Sequence, residues 1–309
     1  MKLRTVRKLS RMQRKEEWAG ILFASPWLIG FLLFMAFPIF ASLYMSFTTY
    51  DMITVPDWIG IANYEVLLTS DPVFWQSLWN TIYYVLFTVP LNLVIGILIA
   101  MLMNQKVMGI RFYRTVFYLP NVVSIVAVAL LWSWILDPTF GLINLFLEKI
   151  GIEGPGWLYD PKWSKPAIIL MGMWNVGGAM VIYLAALQDI PNYLYESASI
   201  DGAGVFRKFF RITLPLLTPS IFFNVVIGVI LSFQVFTQAF IMTDGGPIRS
   251  SYFFAYYLYD KAFKDSAMGM ASSMAWVLLV ITLLLTLLIL RSSNRWVYYQ
   301  SGNEDKGEK

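Results

Sequence analysis

The sequence predicts an all-α membrane protein with six transmembrane helices, and three observations carry that prediction. Of 309 residues, 58% are hydrophobic and only 14% are charged, against about 25% charged in a soluble protein, so polar surface is too scarce to cover a globule of this size. Six stretches hold no Asp, Glu, Lys or Arg, and each contains an apolar run long enough to cross a ~30 Å hydrocarbon core at ~1.5 Å per residue. The basic residues between the stretches gather on alternate sides. The same composition removes much of enzyme chemistry: without histidine or cysteine there is no disulfide framework, no zinc site of the usual kind and no imidazole base. No metal site is expected.

In chain order the charge-free stretches are 18–49, 72–105, 115–136, 166–188, 212–243 and 266–290. Six buried helices of a soluble domain would not all lack ionisable residues, which favours lipid as their solvent. The chain divides into a basic arm over 1–17, a six-span domain over 18–290 and a tail over 291–309. The first span is too long for a cleaved signal core and reads as an uncleaved signal-anchor. Orientation follows from Lys and Arg, which concentrate on the cytoplasmic side. The arm, the second loop, the fourth loop and the tail together carry 17 of them and the alternate loops carry 6, so both termini are expected in the cytoplasm. The net charge of +4 is thus explained by topology, and no nucleic-acid partner is expected.

Two loops have order of their own. Leu142, Ile143, Phe146, Leu147 and Ile150 recur at helical spacing before a Gly- and Pro-rich break, which predicts a short interfacial helix serving as a docking surface or as a shield for helix ends. The fourth loop, 188–218, reads as helix, break, helix. Pro191 suits a first helical turn, Asp201-Gly202-Ala203-Gly204 interrupts, and Phe206, Phe209, Phe210 and Thr213 then share a face away from Arg207, Lys208 and Arg211. Glycine there permits positive φ and the close approach of another backbone. Pro215 and Pro219 are expected to end the second helix and start the fifth span.

These residues carry a resemblance. The string Glu196-Ser197-Ala198-Ser199-Ile200-Asp201-Gly202-Ala203-Gly204, with Ile212-Thr213-Leu214-Pro215 after it, closely resembles the EAA loop of ABC-importer permeases, with Ser197 where the family usually has Ala. Met242-Thr243-Asp244-Gly245-Gly246-Pro247 is similar to the T-G-G-G-P signature of the first of the two permeases in the carbohydrate branch, with Asp244 in place of a Gly. The likeness continues through Asn63-Tyr64, Asp71-Pro72, Asn80-Thr81, Leu119-Pro120 and Asp137-Pro138, leaving out only the first 16 residues and the tail.

The resemblance implies a carbohydrate ABC-transporter permease, similar to the maltose and multiple-sugar importer permeases, with a type I importer fold in a bacterial or archaeal inner membrane. It implies four kinds of partner: a second homologous permease, two ATPase subunits, an extracytoplasmic sugar-binding protein and the sugar. ATP and Mg would be held by the ATPases, so no cofactor is expected on this chain. The EAA loop would be the coupling helix in an ATPase cleft, through Glu196, Ala198, Asp201, Gly202, Ala203 and Gly204.

For the sugar path no motif is available, and candidates come from polarity alone. Asn224, Gln234 and Gln238 fall within about an 80° arc of an unbroken fifth span, close to Leu231. Trp174 and Asn175, beside Gly177 and Gly178, lie near the middle of the fourth span, and Asn92 near that of the second. Such residues line a polar path or hydrogen-bond and pack neighbouring helices. A proton-coupled carrier or membrane enzyme lacks its intramembrane acids and bases, and an autonomous ATPase lacks its G-x-x-x-x-G-K-[ST] loop. A passive channel or scaffold, or a permease for a polyol or glycerol phosphate, remains an alternative.

Overall fold

The computed structural model describes residues 11–298; Lys2, Arg4, Arg7, Lys8, Lys306 and Lys309, which contribute to the charge asymmetry, lie outside the described residues. Four helices are long and apolar enough to cross a bilayer: Lys15–Met45, Pro72–Met103, Val205–Phe233 and Met268–Trp296. Two bent pairs complete the six spans, Ile110–Asn121 with Ile125–Ile135 at 97° and Ser164–Trp174 with Gly177–Gln188 at 47°. The interfacial-helix pattern forms a helix over Leu142–Lys149.

The bent pairs correct the expectation of uninterrupted third and fourth spans. In the third, Ile110–Tyr118 tightens into a 3₁₀ turn at Leu119–Asn121, where Pro120 supplies no N–H, and Ser124 is extended (φ −56°, ψ 134°) before the helix resumes. The resumed piece has 11 residues, about 16 Å, or roughly half the hydrocarbon thickness. In the fourth, the break falls at Asn175 (φ −92°, ψ 26°), beside two glycines.

The second span is the axis of the fold. Asp71 caps it, accepting from the amides of Val73 at 2.9 Å and Phe74 at 3.2 Å, and Pro72 occupies the first turn, where an N–H has no helical partner. The half that starts at Asp71 packs with the fourth span around Tyr84, Ile168 and Met171, and the half that ends at Met103 packs with the fourth and fifth spans around Ile97, Tyr183, Leu184 and Leu217. The first span joins the bundle at one end. The amide of Gly269 donates to Tyr50 O at 3.0 Å and the Trp276 indole N–H to Ser42 Oγ at 3.2 Å, whereas most residues from Trp18 to Phe40 are exposed.

Between the fifth and sixth spans, the short helices Thr237–Met242 and Phe254–Tyr259 fold back into the bundle and are tied to it by polar contacts. Asn80 Nδ2 donates to Arg249 O (2.9 Å) and Tyr252 O (3.2 Å), the Phe254 amide donates to Thr81 Oγ1 (2.9 Å), and the Ser164 and Ser250 hydroxyls meet at 2.7 Å. Lys165 Nζ donates to Asn80 Oδ1 at 2.9 Å. The Tyr257 hydroxyl donates to Asp71, so Asp71 and the Asn80-Thr81 pair hold this return loop in place.

Candidate functional site

A cavity of about 470 Å³ opens among the second, fourth and fifth spans. The polarity candidates Asn92, Asn175, Asn224 and Gln238 line it together, with Leu231. The breaks in the helices make this possible: Asn175 ends Ser164–Trp174 with its backbone turned out of the helix, and Gln238 opens the helix that follows the fifth span. Asn224 sits inside the fifth span and spends one amide hydrogen on Ser220 O at 2.9 Å, leaving its second amide hydrogen and its carbonyl oxygen for the cavity. Tyr84, Thr88, Asn121, Tyr183 and Ser232 share the lining and were not singled out from the sequence. Asn121 had a readable signal, an amide inside an otherwise apolar run; the hydroxyl residues look like ordinary helix packing until the neighbours are known.

Two candidates lie elsewhere. The fifth span ends at Phe233, Gln234 caps it (φ −97°, ψ 14°) and Phe236 is neither helical nor extended (φ −141°, ψ −64°), so the ~100°-per-residue count fails before it reaches Gln234 and Gln238. Gln234 is exposed and outside the cavity lining. Trp174 is also outside it, packed edge-on against Trp132 with ring centroids 6.2 Å apart.

The coupling-loop candidates form a second constellation. Pro191 stands just ahead of the helix Asn192–Ile200 as its cap (φ −63°, ψ 131°), one position earlier than the sequence pattern suggested. The helix ends in a Schellman motif: the Ala203 amide donates to Ala198 O at 2.8 Å, the Gly202 amide donates to Ser199 O at 3.1 Å, and Gly202 adopts φ +75°. Gly204 then caps the next helix (φ −69°, ψ 170°), which runs without interruption into the fifth span through Pro215 and Pro219. The expected stop at the prolines does not occur, because Pro215 falls where a helical segment restarts after a π turn and the turn absorbs the missing bond.

One side of this helix is fastened to the bundle. The Tyr195 and Thr213 hydroxyls meet at 2.9 Å, Lys208 Nζ donates to Ser199 Oγ at 2.6 Å, and Leu194, Tyr195, Phe209 and Ile212 pack on the core around Ile97, Tyr183 and Leu217. On the other side Glu196, Asp201, Gly202 and Gly204 are exposed, and Ala198 and Ala203 are half-buried. The expected aromatic face is corrected. Phe206 is 80% and Phe210 58% exposed, and the π turn over Phe209–Thr213 breaks the α period that would group them with Thr213 on one face.

At the opposite end, the return loop carries an acid–tyrosine cluster. Asp244 stands at φ 47°, a left-handed position that favours glycine, and its carboxylate accepts from the Tyr256 hydroxyl. Tyr252 OH donates to Asp260 at 2.6 Å, and Lys264 pairs with Asp260 at 2.9 Å. Burial, then the neighbouring carboxylates, push the Tyr252 and Tyr256 hydroxyls far above the usual tyrosine range, so both remain donors. The hydrogen bond from Tyr256 compensates for the strain at Asp244, which explains how a carboxylate occupies this turn.

Residues 92–297 match the family described as binding-protein-dependent transport system inner membrane component. The chain is 44% identical over 301 residues to a probable ABC transporter permease protein of Bacillus subtilis (strain 168), YesP, covering 96% of this chain and 97% of the relative. It is 35% identical to the lactose transport system permease protein LacF of Rhizobium radiobacter, covering 90% and 95%. It also superposes, with a TM-score of 0.79 at 27% identity, on a chain of a bacterial alginate ABC transporter in complex with an alginate pentasaccharide-bound periplasmic protein, covering 91% of this chain and 96% of that one.

Proposed function

Because the chain belongs to the family of binding-protein-dependent transport system inner membrane components, we propose that it is one of two permease subunits of an ATP-driven importer that carries a sugar handed over by an extracytoplasmic binding protein. Two ATPase subunits bind and hydrolyse ATP with Mg, and this chain supplies the path and the coupling contact. The observation that carries the reading is the loop around Gly202: a short helix, Schellman-capped, clamped to the bundle by Tyr195 and Thr213 and exposing Glu196 and Asp201. A rigid element of this kind transmits a rigid-body shift, because its two flanking helices and the bundle move as one piece.

The path is the polar cavity. Its amides donate and accept, as sugar hydroxyls do, and no acid or base stands among its lining residues. When the complex that copurifies with a tagged form of this chain is reconstituted in liposomes, sugar uptake should require both ATP and the binding protein. Uptake per complex by Asn224→Leu or Gln238→Leu should fall about tenfold, the worth of one lost hydrogen-bonding group of ~1.4 kcal/mol, while Gln234→Leu stays near the unsubstituted value. Uptake that persists without ATP would instead make the protein a passive channel.

In the orientation that the basic residues favour, both termini and the loop from 188 to 218 face the cytoplasm. A cysteine at the exposed Ser199 should therefore escape an impermeant thiol reagent in intact cells and react after lysis. Labelling from outside would invert the topology.

A further inference from the structure

We propose that Thr88, Asn92 and Tyr183 form a hydroxyl-binding subsite on the cavity wall that takes an uncharged ring of the translocated sugar; this rests on the sugar-import reading above. Buried side-chain polar atoms without a hydrogen-bond partner are few among the described residues, and three of them, Thr88 Oγ1, Asn92 Oδ1 and Tyr183 OH, belong to residues lining this one cavity. A buried polar group without a partner is costly, so folded proteins keep few, and a cluster of them marks a place where something else supplies the bond.

Local geometry argues against incidental packing. Thr81, Ser133 and Thr282 satisfy their hydroxyls on the carbonyl four residues earlier, the usual resort of a helical Ser or Thr. Thr88 does not. Thr88 and Asn92 stand one turn apart on one face of the second span. Tyr183 approaches from the fourth span with its ring on Gly96, where a Cβ would lie 3.0 Å from Tyr183 Cε2; the missing side chain is what admits the ring. Thr88 and Tyr183 are 4% and 0% exposed, so their rotamers are held by packing. Two hydroxyls that donate or accept and one carbonyl that accepts match sugar hydroxyls, which do both. A carboxylate or phosphate here would meet no cation from the lining residues, and desolvating it without one is costly.

The test uses the reconstituted complex with lactose, arabinotriose and methyl glucoside as probes, following whichever gives the largest ATP-dependent uptake. Thr88→Val and Tyr183→Phe each remove one oxygen and little volume. Each should lower uptake per complex about tenfold with an unchanged or higher melting temperature, because an unpaired buried oxygen has been removed. Unchanged uptake in both variants overturns the subsite and leaves the importer reading intact. A fall in uptake that parallels a fall in melting temperature assigns the groups to packing and overturns it as well. If the unsubstituted complex takes up none of the three probes with ATP, the sugar reading fails first and the subsite with it.

Discussion

Replacing Gly202 by aspartate is expected to abolish sugar-stimulated ATP hydrolysis while leaving the permease folded and in the membrane. The backbone part of the effect is small: an L-residue at φ +75° costs about 1 kcal/mol, less for Asp and Asn, which tolerate the left-handed region. That shifts a local equilibrium by roughly fivefold. Inside this chain there is room, since a Cβ on Gly202 meets no atom within 4 Å. Any larger effect must therefore arise from what faces the loop from outside, and in the proposed assembly that is the ATPase. Gly202→Asn supplies the control, adding a similar side chain without charge at the same φ. Loss of stimulated hydrolysis of more than tenfold in both variants, with normal amounts of complex, is the expected result. Normal stimulation in Gly202→Asp would detach this loop from coupling, and failure of the variant complexes to assemble would point to docking instead.

What could be read from the sequence follows from which signals are local. Span positions and the helix–glycine–helix loop depend on composition and on residues a few positions apart, and the Asp201-Gly202-Ala203-Gly204 break falls where it was expected, taking the form of a Schellman cap and a new N-cap. The polar stripe of the fifth span was less legible because it assumed an unbroken helical period. Gln238 joined Asn224 at the cavity, but through a second helix rather than along one face, and the intervening Gln234 turned away. The π turn at Phe209–Thr213 misled in the same way, breaking the period that grouped the exposed Phe206 and Phe210 with Thr213. Thr88 and Tyr183 were invisible for another reason. Their chemistry lies in hydrogen bonds they do not make, which only the positions of distant neighbours reveal.

The glycines beside Asn175 give the largest structural effect. A Cβ built on Gly177 would lie 2.5 Å from Phe117 O and 2.9 Å from Tyr118 Cα. Both are backbone atoms with no rotamer to yield, so Gly177→Ala must push Ile110–Tyr118 away from Gly177–Gln188. Overpacking of this kind costs about 1–3 kcal/mol. Gly178 is the matched control: its Cβ would come within 3.0 Å of Asn121 Nδ2, the end of a side chain that can rotate. Asn121, Asn175, Val176 and Gly178 all line the cavity, so parting the two helices alters the path as well as the packing. Gly177→Ala should lower the melting temperature of the purified complex by several degrees and uptake per complex with it, whereas Gly178→Ala should change the melting temperature by less than half as much. Equal melting temperatures for the two variants would mean that the broken third span is not held against the fourth through Gly177.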